Sequence, residues 1–263
     1  MNLATIISPI AIELQKFEAQ LSQFYAAAPE PLADVMGYLS ESKGKRIRPA
    51  LVFLSAKLLG EANGTTCRTA LFVELLHTAT LLHDDVVDGD EVRRGRPSAN
   101  ARFGNMQAVL TGDYLLAKAV QLIAQPADHL VMEEMMQTAI AMGEGELLQM
   151  RSPTTALGEK EYLDVVTRKT AMLMRSCCVG GALSVGADKV QVSRLAEFGL
   201  NLGIVFQMRD DILDGDQPEC VYFAKQLISS YVDKALKSLN GLPENETMQA
   251  MKDLLTFCAE REY

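Results

Sequence analysis

The sequence predicts an all-α fold in which long helices pack around a central cavity. Three observations lead there. Apolar residues recur three or four apart through segment after segment, the spacing of a helix with one buried face. Those segments end where helix-breaking residues sit. No stretch alternates apolar and polar residues convincingly enough to read as a strand, and no helix–turn–helix unit repeats at a fixed period.

The first helix, about 3–25, carries Ile7, Ile10, Leu14, Phe17, Leu21 and Phe24 on one face. It reads as an amphipathic helix packed on the body or on a partner subunit rather than on a membrane. Pro29 and Pro31 separate it from a helix over 31–41. A helix over 46–60 stops at Gly60, and one over 65–89 stops ahead of Gly95 and Pro97. The segment 105–124 ends at Gln125-Pro126, and 127–151 ends before Pro153. Helices over 159–175 and 176–186 close at Gly186, and 189–215 precedes Pro218. Segment 219–239 ends before Gly241 and Pro243, and 245–260 is the last.

A chain of 263 residues, 48% hydrophobic, is long enough to bury a large core, and it reads as a single domain over 1–263. A net charge of −9 argues against nucleic acid as a partner, because binding a phosphate backbone wants a basic face. An anionic substrate is still admissible where Arg, Lys or a metal ion supplies local positive charge. Cys67, Cys177, Cys178, Cys220 and Cys258 form no C-x-x-C pair and read as reduced, mostly buried thiols of a cytoplasmic protein. No signal peptide is evident, and no apolar run approaches the roughly 18 residues of a membrane span.

Two segments carry the chemistry, LLHDDVVDGD over 81–90 and FQMRDDILDG over 206–215. Each holds D-D-x-x-D inside an apolar helical stretch. Residues four apart share a helix face at about 5–6 Å, so Asp84 projects with Asp88, and Asp210 with Asp214. Like charges at that spacing oppose helix formation, so two matching clusters ask for a counter-charge. Mg²⁺ suits them: it takes one or two carboxylates, keeps several waters and completes its shell with substrate phosphate oxygens. Two clusters facing one cavity would clamp a diphosphate and neutralise the charge that builds as it departs.

Positive charge flanks the first cluster in sequence. Gly44-Lys45-Arg46-Ile47-Arg48-Pro49 precedes the first cluster, and Arg93-Arg94-Gly95-Arg96 follows it. Arg grips phosphate through two nitrogens and Lys adds a point charge, so the two runs together read as a second diphosphate site without its own metal. His77, seven residues before Asp84, lies on the same helix face and would donate to a phosphate oxygen. Arg168-Lys169-Thr170 and Phe206-Gln207 place further polar groups inside apolar helices.

GKRIRP, ELLHTATLLHDDVVD, RRGRPSAN, LTGDYLLAKA, GEGELLQM, RKTA and FQMRDDILD occur in that order between about residues 42 and 214. With the last forty or so residues, they resemble the trans-type polyprenyl diphosphate synthases, and among them the octaprenyl diphosphate synthase group most closely. The resemblance implies an isoprenoid-synthase-type helical bundle, usually a homodimer. It implies that isopentenyl diphosphate is condensed with an allylic diphosphate, farnesyl or geranylgeranyl, to give a long product released at a membrane surface. Lys45, Arg48, His77 and Arg94 would hold isopentenyl diphosphate; Arg93, Lys169 and Gln207 would contact the allylic diphosphate. Asp84, Asp88 and Asp210 would be the principal Mg²⁺ ligands and, with Lys169, the catalytic groups, with Asp85, Asp211 and Asp214 in support. Ala79 and Thr80, both small and about one turn below Asp84, would leave the cavity deep enough for a long chain.

One stretch departs from the pattern. After Asp214 the family continues through a loop rich in Gly, Asp and Lys, whereas here Gly215-Asp216-Gln217-Pro218 leads almost directly into Cys220-Val221-Tyr222. The comparison implies an internal deletion of a few dozen residues after about residue 216, including a Lys for the allylic diphosphate that Lys225 does not match. Either the segment is truly deleted and the active site opened, or a mobile loop is missing from the sequence; the intact upstream motifs favour the second.

Rival readings are weaker. A non-catalytic partner subunit would account for the deletion but not for two complete Asp motifs. A terpene cyclase would not need GKRIRP. A di-iron bundle wants two E-x-x-H motifs and finds one, Glu74 to His77. Nucleotide binding finds neither of its Gly-rich loops.

Overall fold

The computed structural model describes residues 2–42, 44–125, 128–151 and 158–261. The breakers Pro126 and Pro153 lie outside them. Helices dominate: α1 Leu3–Ile6, α2 Ala11–Ala26, α3 Ala33–Ser40, α4 Ile47–Leu59, α5 Gly64–Val87, α6 Ala99–Phe103, α7 Asn105–Ile123 and α8 His129–Arg151. They continue with α9 Glu159–Val166, α10 Met172–Ser184, α11 Lys189–Asp214, α12 Pro218–Ser238 and α13 Glu246–Glu260. The fold is all-α, as the periodicity requires.

Helix α10 is the axis of the core. Every residue from Ser176 to Ala182 is buried, and the helix packs against α4, α5, α8 and α11. Gly181 lets α4 close on it, since a Cβ there would lie 2.3 Å from the Val52 carbonyl oxygen. Helices α5 and α11 therefore flank a common neighbour, and α7 and α12 cover them in turn. Both long helices start on a side-chain cap that satisfies their first backbone N–H groups, Asn63 for α5 and Asp188 for α11.

The structure differs from the sequence reading in several places, among them the short helix α6, which the periodicity did not show. The first helix is interrupted at Ser8–Ile10, a 3₁₀ turn holding Pro9, whose missing N–H cannot continue an α-helix. The stretch from Glu159 to Ser184 does not break at residue 176; instead Thr167–Ala171 forms a π-helical turn joining α9 to α10. Glycines from two sides clamp that turn. A Cβ on Gly145 of α8 would lie 2.8 Å from the Lys169 nitrogen, and one on Gly203 of α11 would lie 2.5 Å from the Ala171 Cα. Lastly, a hairpin of two-residue strands, β1 Val92–Arg93 and β2 Arg96–Pro97, forms just after α5. Its turn residues Arg94 and Gly95 both have positive φ, the geometry that matches strand twist. Strands this short leave no alternation to read.

Among the described residues no helix is long and apolar enough to cross a membrane. All five cysteines are free thiols and four are buried; burial pushes the Cys178 thiol up to about 12.

Candidate active site

Asp84 lies in the last turn of α5 and Asp88 is its C-cap, donating its backbone N–H to the Asp84 carbonyl. Asp210 and Asp214 occupy the last two turns of α11, which Gly215 ends in the left-handed conformation. All four line one cavity of about 930 Å³ together with Arg48, His77, Arg93, Arg94, Lys169 and Gln207. The two acidic helix ends thus border a shared space whose lining also holds three arginines and a lysine.

The second Asp of each cluster is turned elsewhere. A step of one residue rotates a side chain by about 100°, so Asp85 and Asp211 leave the face their neighbours share. Asp85 accepts from Arg93, Nε to Oδ1 at 2.7 Å, and is 3% exposed. Asp211 accepts from the Tyr162 hydroxyl at 2.5 Å and from the Gln207 amide at 2.9 Å. Asp85 and Asp211, expected in support of the metal, are not among the residues that line the main cavity; Asp85 is held by Arg93, and Asp211 by Tyr162 and Gln207.

Burial sets the electrostatics. It raises the Asp84 carboxyl to about 6; Lys169 opposes the shift, and Glu146 and Asp88 add to it. Asp210 is raised by burial too, against the pull of Arg261, whose guanidinium donates to it. The chain thus holds carboxylates that favour an added cation. Hard oxygen donors from two helices fit a divalent ion such as Mg²⁺, with Asp84, Asp88, Asp210 and Asp214 to hold it. Among the described residues no three His, Cys, Asp or Glu side chains gather closely enough to cage an ion unaided. An ion held here would complete its shell with oxygens from water or a bound ligand.

On the basic side, Arg94 reaches the loop before α4, where a Cβ on Gly44 would be 3.1 Å from its guanidinium nitrogen. Arg48 reaches the cavity from the first turn of α4, with its Nε buried and unpartnered. Burial, then Arg48 and Arg94, drive the His77 pKa well below its ordinary value, leaving a neutral imidazole beside two cations. Lys45 is not among the lining residues; it is exposed and lies over the Phe257 ring of α13, 6.0 Å from its centre.

Lys169 projects from the π turn and pairs with Glu146 at 2.7 Å, donating also to Gln149 at 3.0 Å. Arg168 turns outward to Asp164 and Glu144. Thr80 lines the cavity with Leu76, Leu116, Ala139 and Met142. Ala79 does not: it is fully buried in the core, so of the two small residues only Thr80 borders the space.

Sequence reasoning gave no role to Glu146, Tyr162 or Arg261. Glu146 stands within GEGELLQM and could have been picked out as the partner of a lysine. Tyr162 and Arg261 sit in no quoted motif.

The Polyprenyl synthetase family profile matches residues 29–222. The octaprenyl diphosphate synthase of Haemophilus influenzae is 40% identical over 188 residues, which cover 70% of this chain and 56% of that one. The chain thus spans little more than half the length of that relative. Component 2 of the heptaprenyl diphosphate synthase of Geobacillus stearothermophilus is 29% identical over an alignment of 320 positions that takes in all of both chains. A crystal structure of a Caulobacter crescentus polyprenyl synthase, complexed with calcium and isoprenyl diphosphate, superposes with a TM-score of 0.89 at 27% identity, covering 100% of this chain and 98% of that one. Motif order, a cavity bordered by paired acidic helix ends, and these likenesses agree: the chain belongs to the polyprenyl synthetase family.

Proposed function

We propose that the protein is a Mg²⁺-dependent prenyltransferase that joins isopentenyl diphosphate head-to-tail to an allylic diphosphate, farnesyl or geranylgeranyl, and so builds a long trans-polyprenyl diphosphate. One observation carries the reading. Asp84 and Asp88 of α5, Asp210 and Asp214 of α11, and Arg48, His77 and Arg94 all border one cavity.

In this reading the allylic diphosphate sits between the two acidic helix ends. Mg²⁺ bound there supplies the positive charge that stabilises the leaving diphosphate. Lys169 and Arg93 add fixed cations on the same side, and Gln207 holds Asp211 and Thr170 in register. Arg48, Arg94 and neutral His77 seat the diphosphate of isopentenyl diphosphate, with Lys45 closing from outside. The isopentenyl double bond attacks the allylic cation, and the proton lost goes to the released pyrophosphate, so no side-chain nucleophile is needed. The product grows along Thr80, Leu76, Leu116, Ala139 and Met142.

A second copy is the proposed partner. Met106 and Leu110 of α7 and Ile140, Leu147 and Met150 of α8 are large apolar side chains left exposed, Met106 by 78% and Leu147 by 63%. Ile140, Leu147 and Met150 share one helix face, and such a stripe asks for a cover. The cytoplasm is the proposed location, with the lipid product leaving at a membrane surface.

The test is incubation with radiolabelled isopentenyl diphosphate, farnesyl diphosphate and Mg²⁺, followed by product sizing. Label in long-chain products that is lost in Asp84→Ala supports the reading; full activity of that variant overturns it. A second reading, one subunit of a heteromeric synthase, is favoured by the full-length alignment to a protein named as a component and by the short α11–α12 connection. Activity of the isolated chain separates the two.

A further inference from the structure

Arg46 lies between two residues of the proposed isopentenyl diphosphate site, Lys45 and Arg48, yet it does not border the main cavity. Its guanidinium points the other way and ties three helices together. Nε donates to Glu18 of α2 at 2.6 Å, and a terminal nitrogen donates to Glu74 of α5. Glu74 is 7% exposed, so Arg46 is the cation that neutralises a buried carboxylate. The backbone of Arg46 is equally constrained. It caps α4 with φ 53° and ψ 30°, the left-handed region that side chains other than Gly seldom adopt. Among the described residues, Arg46 and Arg94 are the non-glycine residues with positive φ.

These features share one location. Arg46 and Glu74 line a small cavity of about 80 Å³ whose walls include His77, Arg93 and Arg94, and those three also border the main cavity. The left-handed turn at Arg46 is where the chain changes direction, so that Lys45 stands outside α4 and Arg48 falls in its first turn. Backbone held this way needs surroundings that over-determine it, and the double ion pair supplies them.

We propose that Arg46 is a positioning residue: by anchoring the entry of α4 to Glu18 and Glu74 it fixes the aim of Lys45 and Arg48 at isopentenyl diphosphate, without touching that substrate itself. The inference rests on the prenyltransferase reading of the site. Lys at position 46 keeps the charge but loses the planar fork that spans two carboxylates.

The experiment compares the wild type with Arg46→Lys and with the double variant Arg46→Met/Glu74→Gln, which removes both partners and leaves no unpaired charge on Glu74. Helical circular dichroism is recorded for each, and KM is measured separately for isopentenyl diphosphate and for the allylic primer, with kcat. The expected result is a rise of about tenfold in KM for isopentenyl diphosphate in both variants, the factor for one misaligned charged contact. KM for the allylic diphosphate should stay within about twofold. Unchanged KM values in Arg46→Lys overturn the inference, even if the double variant fails to fold. Equal changes in both KM values, or a loss of kcat alone, overturn it as well, since a purely structural residue would act that way. A wild type that incorporates no isopentenyl diphosphate with any primer overturns the proposed function and this inference with it.

Discussion

Arg93 reaches back from the hairpin to Asp85 in the last turn of α5, Nε to Oδ1 at 2.7 Å, and so takes the second carboxylate of the first acidic cluster away from the cavity that Asp84 and Asp88 border. The division of labour within D-D-x-x-D follows. Asp88→Ala should cost about 10³-fold in turnover, on the scale of removing a main transition-state stabiliser. Asp85→Asn should cost about tenfold or less and act mainly on KM for the allylic diphosphate, because it frees Arg93. Steady-state kinetics of the two variants check this; equal losses would put Asp85 among the metal ligands.

Mg²⁺ binding should require diphosphate. No three carboxylates converge among the described residues, so the ion alone should bind weakly, and inorganic pyrophosphate should tighten it at least about tenfold. Titration calorimetry with and without pyrophosphate measures this, and tight binding of Mg²⁺ alone would contradict it.

His77 predicts an acid limb in stability. Its folded pKa lies below the ordinary 6.5, so under that pH the unfolded chain binds a proton that the native protein refuses. The native state should therefore lose stability as pH falls below about 6.5, and this contribution should vanish above it. Thermal melts across pH 5–7.5 should show a shallower acid slope in His77→Gln than in the wild type.

Product length should respond to position 80. Thr80→Phe puts a ring into the cavity wall and should shorten the product by about one or more isoprene units, each near the 5.4 Å rise of a helical turn. Ala79→Phe should instead overpack the core, at a cost of about 1–3 kcal/mol. Reverse-phase sizing and thermal melts distinguish the two effects.

Ile140→Lys with Leu147→Lys should leave the proposed dimer as monomers by sedimentation velocity, since both side chains lie in the exposed apolar stripe of α8. An unchanged sedimentation coefficient would move the interface elsewhere.

Much of this site was legible in the sequence because it is written at helical spacing. Asp84 with Asp88 and Asp210 with Asp214 follow from four-residue intervals, and His77 stands two turns from Asp84 on the same face. The same rule excludes Asp85 and Asp211, yet a motif named by five residues hides which of them face inward. The hairpin was not legible, because two-residue strands carry no period. The π turn escaped as well. It is fixed by Gly145 and Gly203 pressing from helices distant in sequence, and only the packed fold brings them together. Arg261 pairs with Asp210 across 51 residues and belongs to no local pattern.

The turn between α11 and α12 borders a second hollow of about 450 Å³ that shares Lys169, Thr170, Gln207 and Asp214 with the main one. In the proposed reaction, a carbocation formed beside such a side door would meet water as well as its intended partner. The protein should therefore leak prenyl alcohol alongside elongated diphosphate, and the ratio of the two measures how well that door is shut.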